Sequence, residues 1–154
     1  MRKKFGLELY RQMKKNEDIY LLVGDLGYGL FDDIRKIFPD RFINCGTSEQ
    51  AMIDIAIGMA LADKIPFCYS ITPFLLYRPF ESLRTYINHE KIPVKLIGSG
   101  RNKDYKDLGF SHWSDDDGEV MAMFDNIHSL WPETKSEIKD IVEEMVTSPF
   151  PYYL

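Results

Sequence analysis

The stretch that decides the fold is Asp40-Arg41-Phe42-Ile43-Asn44-Cys45-Gly46-Thr47-Ser48-Glu49-Gln50-Ala51-Met52. The apolar run 42–45 predicts a strand, Gly46 and two hydroxyl residues predict a turn, and a helix then begins with Glu49 in its first turn. Open α/β sheets bind their ligands where strands end and helices begin. The stretch therefore predicts an α/β fold with one carboxylate at the ligand-binding edge of its sheet.

The start of this helix fits a capping box, in which Thr47 is the N-cap and Gln50 is the third helical residue. Glu49 then lies at the positive end of the helix dipole. By spacing alone, a solvated acid that stabilises the helix is the more frequent outcome. The helix itself, residues 51–62, is rich in small and apolar residues, so we expect it to be buried on both faces and the carboxylate to be poorly hydrated.

Strand-like and helix-like segments alternate along the whole chain. The predicted strands are 19–23, 42–45, 66–70, 93–98, 127–131 and 151–154. The predicted helices are 2–15, 31–38, 48–63, 74–88, 118–124 and 134–146. Such alternation implies right-handed crossovers between parallel strands. We therefore predict a three-layer α/β fold, in which a parallel sheet carries helices on both faces.

Length and composition restrict the class of protein. The 154 residues suit one domain, and 45% hydrophobic with 28% charged residues is typical of globular proteins. The net charge of -5 argues against nucleic-acid binding, and no apolar run is long enough to span a membrane. The N-terminal residues lack the apolar core of a signal peptide, so we expect a cytoplasmic protein.

The two cysteines, Cys45 and Cys68, both lie in apolar, strand-like segments. We expect them to be buried and reduced. A disulfide between neighbouring strands is the alternative.

A longer, ordered pattern resembles a known family. Its pieces are Gly24-Asp25-Leu26-Gly27, Phe38-Pro39-Asp40-Arg41-Phe42-Ile43-Asn44, Gly46-Thr47-Ser48-Glu49-Gln50, Gly58-Met59-Ala60-Leu61-Ala62, Pro66-Phe67-Cys68-Tyr69-Ser70, Pro73-Phe74, Arg78-Pro79-Phe80-Glu81, Pro93-Val94-Lys95-Leu96-Ile97-Gly98 and Leu108-Gly109-Phe110-Ser111-His112. No single piece is specific. Their order and spacing together resemble the pyrimidine-binding domain of transketolase-like, thiamine-diphosphate enzymes, especially the split and short transketolases, and also deoxyxylulose-phosphate synthase.

The resemblance implies a role for each candidate site residue. In this family, a glutamate at the position of Glu49 hydrogen-bonds a ring nitrogen of the aminopyrimidine of thiamine diphosphate and so helps the cofactor to lose its thiazolium proton. Phe74 is implied to stack on the aminopyrimidine, and Tyr77 to supply a second aromatic ring. Asp25 is implied to lie at the cofactor and subunit interface. His112 is implied to face the substrate channel and to help to hold a sugar phosphate.

Each of these residues also has a simpler interpretation. Phe74 and Tyr77 have the spacing of core aromatics on a helix, and Asp25 has the context of a turn aspartate that satisfies loop amides. A lone surface histidine such as His112 usually has no role. The acidic run 115–117 is expected to be a solvated helix start.

The implied role makes a physical demand on Glu49, which must share a proton near neutral pH. Burial favours the neutral form of a carboxyl group, whereas a helix N-terminus favours the charged form. Desolvation must therefore dominate. We expect the Glu49 carboxylate to lie near the surface of the isolated chain. Its desolvation would then require a second surface that closes over it.

The sequence lacks the element with which this family holds the cofactor's diphosphate. There, a Gly-Asp-Gly element and a later asparagine on a separate domain hold Mg²⁺ or another divalent metal, and no Gly-Asp-Gly occurs here. We expect residues 1–154 to form a single pyrimidine-binding domain, with no diphosphate-binding domain and no transketolase C-terminal domain. A diphosphate-binding (N-terminal transketolase-type) partner subunit would complete the enzyme, in a homodimer or hetero-oligomer.

The resemblance thus predicts a subunit of a split transketolase-like enzyme that transfers a ketol (two-carbon) unit between sugars or sugar phosphates. Two alternatives remain open. One is a non-catalytic interaction module derived from this domain. Glu49 argues against it, because a relic has no physical reason to keep a carboxylate in an apolar site.

The other is a component of a thiamine-dependent ketoacid decarboxylase or dehydrogenase. Segments 74–81 and 108–112 favour a transketolase instead.

Overall fold

A computed structural model describes all 154 residues as one parallel sheet between two layers of helices. The strands are β1 (Ile19–Val23), β2 (Phe42–Asn44), β3 (Ile65–Ile71), β4 (Lys95–Ser99), β5 (His128–Ser129) and β6 (Tyr152–Tyr153). Their order in the sheet is β2-β1-β3-β4-β6-β5, and every neighbouring pair is parallel. The predicted three-layer α/β fold is confirmed.

The helices follow the predicted alternation with one difference. They are α1 (Arg2–Met13), α2 (Asp32–Ile37), α3 (Glu49–Leu61), α4 (Thr72–Tyr77), α5 (Phe80–Ser82), α6 (Asp117–Met121) and α7 (Ile138–Thr147). The single helix predicted over 74–88 is divided, because Pro79 has no N–H to continue the helical hydrogen bonds of α4. A π-helical segment, Leu83–His89, then continues α5. None of the helices has both the length and the apolar character needed to cross a bilayer.

The central strands β1, β3 and β4 contribute alternate side chains to two separate cores. Leu22 and Cys68 belong to the core that contains α3, whereas Leu21 and Phe67 belong to the core formed with α1 and α7. Because both faces of the strands are covered, apolar residues run continuously along them instead of alternating with polar ones. This continuity made the strands easy to recognise in the sequence.

Both cysteines are free thiols on the α3 side of the sheet. Cys68 is fully buried and Cys45 is half-buried. Burial raises the pKa of each thiol, which keeps both in the less reactive protonated form.

Helix α3 differs from its predicted form in two ways. Ser48, not Thr47, is the N-cap, and no side chain caps the helix. Gln50 instead donates to Asp54 and, at 2.8 Å, to the hydroxyl of Ser82. The predicted burial on both faces is also wrong for the chain alone, because α3 exposes an outer side that includes Ile55 and Leu61.

The carboxyl ends of the three strands β2, β1 and β3 lie side by side. Val23 is in register with Asn44 on one side and with Tyr69 on the other. Gly24 then donates its N–H to the carbonyl of Tyr69 at 3.0 Å, just beyond the end of β1. Since α3 begins at this same edge, the start of the helix is brought against the ends of β1 and β3.

Candidate functional site

Glu49 is a buried carboxylate at the carboxyl edge of the sheet, with 1% of its surface exposed. The hydroxyl of Ser70, on β3, donates to Oε1 at 2.7 Å. The guanidinium of Arg78, just after α4, donates to Oε2 and forms an ion pair with it. Both oxygens therefore have partners within the chain, as a buried charge requires.

The expectation that Glu49 lies near the surface of the isolated chain is wrong. Its carboxylate is enclosed by residues of this chain, since Ser70 and Arg78 bond it and Gly24 lies against it. A second subunit is therefore not needed to remove Glu49 from water. No local pattern indicated this burial, because helix-start acids are usually solvated and the enclosing strands are distant in sequence.

Gly24 makes the space that the Glu49 carboxylate occupies. A Cβ placed on Gly24 would lie 2.7 Å from Oε1 of Glu49 and 2.7 Å from the hydroxyl oxygen of Ser70. Real Cβ atoms do not approach other atoms so closely, so a side chain at this position would displace one of the two groups. Neither Gly24 nor Ser70 was identified as a site residue from the sequence.

Phe74 connects the carboxylate to the other candidate residues. The guanidinium carbon of Arg78 lies 3.9 Å from the centre of the Phe74 ring, close enough for a cation–π contact. On another side, the Phe74 ring packs edge-on against His112, with 4.9 Å between ring centres. The structure therefore brings Glu49, Phe74 and His112 into one contiguous group, with Arg78 as the link.

His112 lies in a short 3₁₀ turn, Phe110–His112, and is half-buried. Its Nδ1 is 3.0 Å from the hydroxyl oxygen of Ser111. The turn belongs to a long loop that is anchored at Ser114, whose hydroxyl donates to the carbonyl of Gly100 at 3.0 Å. This anchoring holds the imidazole against the Phe74 ring while part of it remains accessible.

Tyr77 shares α4 with Phe74 but makes its polar contact elsewhere. Its hydroxyl donates to the carboxylate of Asp116, at the start of α6, and burial together with this hydrogen bond raises the pKa of Tyr77. Asp117 accepts a hydrogen bond from Tyr153 at 2.9 Å. The expectation of a solvated helix start is therefore wrong for Asp116 and Asp117. The contact of Tyr77 with a cofactor stays a prediction.

Asp25 follows β1 in a left-handed backbone conformation with φ of 55°. Its carboxylate accepts from the hydroxyl of Tyr28 at 2.7 Å and from the side-chain amide of Asn44 at 3.0 Å. The hydrogen bonds from Asn44 and Tyr28 lower the pKa of Asp25. The carboxylate of Asp25 is thus held by two side chains, whereas a turn aspartate would bond backbone amides of the loop. Its place at a cofactor and subunit interface stays a prediction.

The group around Glu49 fits a planar ring that carries nitrogen donors. The Arg78 guanidinium is itself a planar N–C–N group that lies on Phe74 and bonds the Glu49 carboxylate. An aminopyrimidine presents a similar planar N–C–N edge, so Glu49 and Phe74 match what such a ring needs. No group of three or more His, Cys, Asp or Glu side chains is placed to hold a metal ion.

Comparison with known proteins identifies the family. Residues 1–154 match the family described as "Transketolase, pyrimidine binding domain". The chain is 33% identical over 119 residues to one subunit of the apulose-4-phosphate transketolase of Actinobacillus succinogenes, an alignment that covers 77% of this chain and 38% of that protein. It is 30% identical over 155 residues to a putative transketolase C-terminal section of Methanocaldococcus jannaschii, which covers 100% of this chain and 49% of that protein.

Solved structures of transketolases share the fold of this chain. A split gene transketolase, described as an inactive beta4 tetramer, superposes with a TM-score of 0.86 at 28% identity, covering 99% of this chain and 49% of that one. Transketolase from Campylobacter jejuni shares the fold, with a TM-score of 0.87 at 19% identity over 99% of this chain and 24% of its own. The chain thus spans about half, or less, of the length of these relatives. It belongs to the family of transketolase pyrimidine-binding domains.

Proposed function

We propose that this chain supplies Glu49 as the cofactor-activating carboxylate of a split transketolase-like enzyme. The observation that carries the proposal is the buried Glu49 carboxylate, bound to a planar cation that lies on Phe74. Thiamine diphosphate, when bound, supplies the carbon–carbon bond chemistry. The residues of this chain orient the cofactor and control one proton.

In this proposal, Oε2 is the oxygen of Glu49 that contacts the ring of the cofactor. Ser70 fixes the orientation of the carboxylate by donating to Oε1, which leaves Oε2 as the oxygen that faces a ring on Phe74. The Glu49 side chain is itself 1% exposed, so water has little access to the carboxylate. A proton shared between Oε2 and a ring nitrogen would then be held in a fixed, dry geometry, as general acid–base catalysis requires.

The other site residues take complementary roles in this proposal. Phe74 would stack on the pyrimidine and Tyr77 would supply a second aromatic surface nearby. Asp25 would lie where the cofactor meets a partner subunit. His112 would face the substrate, since its half-buried imidazole lies against Phe74 and can donate a hydrogen bond to a sugar hydroxyl or phosphate.

A partner subunit would complete the site. Several relatives are named as subunits or sections of transketolases, and the chain spans about half of their length or less. We propose a diphosphate-binding (N-terminal transketolase-type) subunit that holds the diphosphate with Mg²⁺ or another divalent metal, in a homodimer or hetero-oligomer in the cytoplasm. Residues 1–154 would then act as one pyrimidine-binding domain. The substrates would be sugars or sugar phosphates that exchange a two-carbon ketol unit.

Reconstitution tests this function. The chain would be mixed with a candidate diphosphate-binding subunit, thiamine diphosphate and Mg²⁺, and assayed with a panel of ketose donors and aldose acceptors. We expect ketol transfer only when both subunits and the cofactor are present. Transfer by the partner without this chain would contradict the proposal. Release of carbon dioxide from 2-ketoacids, without ketol transfer, would favour the ketoacid decarboxylase alternative.

A further inference from the structure

Arg78 occupies two contacts that a pyrimidine ring would need. Its guanidinium carbon lies 3.9 Å from the centre of the Phe74 ring, and its Nη1 donates to Oε2 of Glu49. A planar ring bound to Glu49 and stacked on Phe74 would fill the same volume. The guanidinium and such a ring therefore exclude each other.

We propose that Arg78 takes the place of the aminopyrimidine in the cofactor-free chain and that the cofactor must displace it to reach Glu49. The proposal rests on the proposed function of Glu49. It assigns to Arg78 the role of a self-blocking group, to which the sequence pattern pointed only by including Arg78-Pro79 among its pieces.

The contacts explain why Arg78 stays in the site when no ring is present. Glu49 is 1% exposed, and leaving a buried carboxylate without its charged partner is strongly destabilising. An arginine suits this position because its planar fork can pair with a carboxylate and lie on an aromatic face at the same time. A third, longer contact joins its Nη1 to the carbonyl of Thr47 at 3.4 Å.

The same contacts show how Arg78 can leave. Its side chain is 42% exposed, so the guanidinium can move into water without crossing the core. It lies between the end of α4 and Pro79, outside regular helix. Departure costs Glu49 a partner, and an incoming ring nitrogen replaces that partner. Release of Arg78 and arrival of the ring are therefore coupled.

This coupling lowers the apparent affinity of the chain for the pyrimidine. When only a fraction of the molecules have an open site, the apparent dissociation constant rises by the inverse of that fraction. If Arg78 fills the site in about nine molecules of ten, its removal should tighten binding about tenfold. A residue that merely helped to hold the cofactor would have the opposite effect.

The experiment uses the pyrimidine half of the cofactor, 4-amino-5-hydroxymethyl-2-methylpyrimidine, titrated into the ¹⁵N-labelled chain and followed by NMR. Arg78→Met removes the planar cation with little change in length. Arg84→Met is the matched control, because Arg84 is an exposed arginine further along the same segment. We expect Arg78→Met to bind about tenfold more tightly than the wild-type chain and Arg84→Met.

A second readout does not depend on a variant that folds. In the wild-type chain, the Nη–H resonances of Arg78, whose Nη1 donates to Glu49, should be protected from solvent exchange before the titration and should move to those of a free arginine as the pyrimidine binds. Equal, weaker or absent binding by a folded Arg78→Met chain, or an Arg78 resonance in the wild-type chain that does not respond, would overturn the proposal. Turnover of the reconstituted enzyme tests the function of Glu49 separately, so either idea can fail alone.

Discussion

Gly24 lies directly behind the carboxylate of Glu49, so close that a Cβ on Gly24 would stand 2.7 Å from Oε1. The position of Glu49 therefore depends on the absence of a side chain at Gly24, which follows the neighbouring strand β1. Ser70, on β3, fixes the same oxygen through its hydrogen bond. The geometry of the candidate site thus depends on three segments that only the sheet brings together.

Gly24→Ala should damage both the site and the fold. The new methyl group must displace the carboxylate or the Ser70 hydroxyl, and such overpacking costs about 1–3 kcal/mol. We expect lower stability in urea unfolding and a loss of ketol transfer in the reconstituted enzyme. Gly58→Ala is the control, because a Cβ on this helical glycine meets nothing and should stabilise the isolated chain by about 0.5–1 kcal/mol. Wild-type stability and turnover in Gly24→Ala would show that Glu49 does not need its observed position.

His112→Ala should raise the KM for a sugar phosphate more than it weakens cofactor binding. The imidazole packs against Phe74 in a T-shaped arrangement, and in the proposed function it contacts the substrate. Its loss should therefore weaken substrate binding and leave Glu49 in place. Steady-state kinetics of the reconstituted enzyme give KM, and cofactor titration gives the affinity. His89→Ala, at an exposed histidine outside the site, is the control. An unchanged KM for every accepted substrate would remove His112 from the site.

Lys95 predicts a pH dependence of stability that is separate from the candidate site. This lysine on β4 is 1% exposed and donates to the carbonyls of Ser148 and Phe150. Burial lowers the pKa of Lys95 from 10.5 to about 8. Between these values the unfolded chain holds a proton that the folded chain has released, so the stability contributed at this position rises with pH.

The matched variant for this test is Lys95→Met. The wild-type free energy of unfolding, minus that of the variant, should be constant below pH 8 and should rise by up to about 3 kcal/mol towards pH 10.5. Urea unfolding at closely spaced pH values measures this difference. Because both proteins contain the same tyrosines and cysteines, the contributions of these groups to the pH dependence cancel in the difference. A difference that does not change with pH would show that Lys95 keeps its proton when folded.

The chain alone should not bind thiamine diphosphate tightly. The diphosphate and its metal carry most of the charge of the cofactor, and the chain has neither a Gly-Asp-Gly element nor a group of acidic ligands for a metal. Titration calorimetry with Mg²⁺ and the purified chain should detect no micromolar binding until a partner is added. Micromolar or tighter binding without a partner would mean that this chain contains the diphosphate site.

The sheet could be predicted well from the sequence because its strands are buried on both faces. The run Ile19–Val23 was located to the residue, since a continuous apolar segment between turn signals has few other interpretations. The start of α3 was predicted less well. Thr47 and Gln50 fit a capping box by spacing, but Gln50 finds better partners in Asp54 and Ser82, which the helix and tertiary packing bring close.

The candidate site was predicted in part. The resemblance pointed to Glu49, Phe74 and His112, and the structure places them together. It did not reveal the pairing of Glu49 with Arg78, which are 29 residues apart. That pairing depends on how α4 packs against the ends of the strands, and no local pattern encodes such a contact.

The role of Glu49 in activating the cofactor can be measured without any knowledge of the sugar. The exchange of the thiazolium C2 proton of thiamine diphosphate with deuterium can be followed by rapid quenching and NMR in the reconstituted complex. Glu49→Gln should still fold, because the glutamine amide can keep the hydrogen bond to Ser70, while the exposed Arg78 can turn to water.

We predict rapid exchange with the wild-type chain and a loss of roughly a hundred- to ten-thousand-fold in Glu49→Gln, the usual range for a general acid–base group. Ketol transfer should fall in parallel. Exchange at the wild-type rate in a folded, cofactor-bound Glu49→Gln complex would contradict the account.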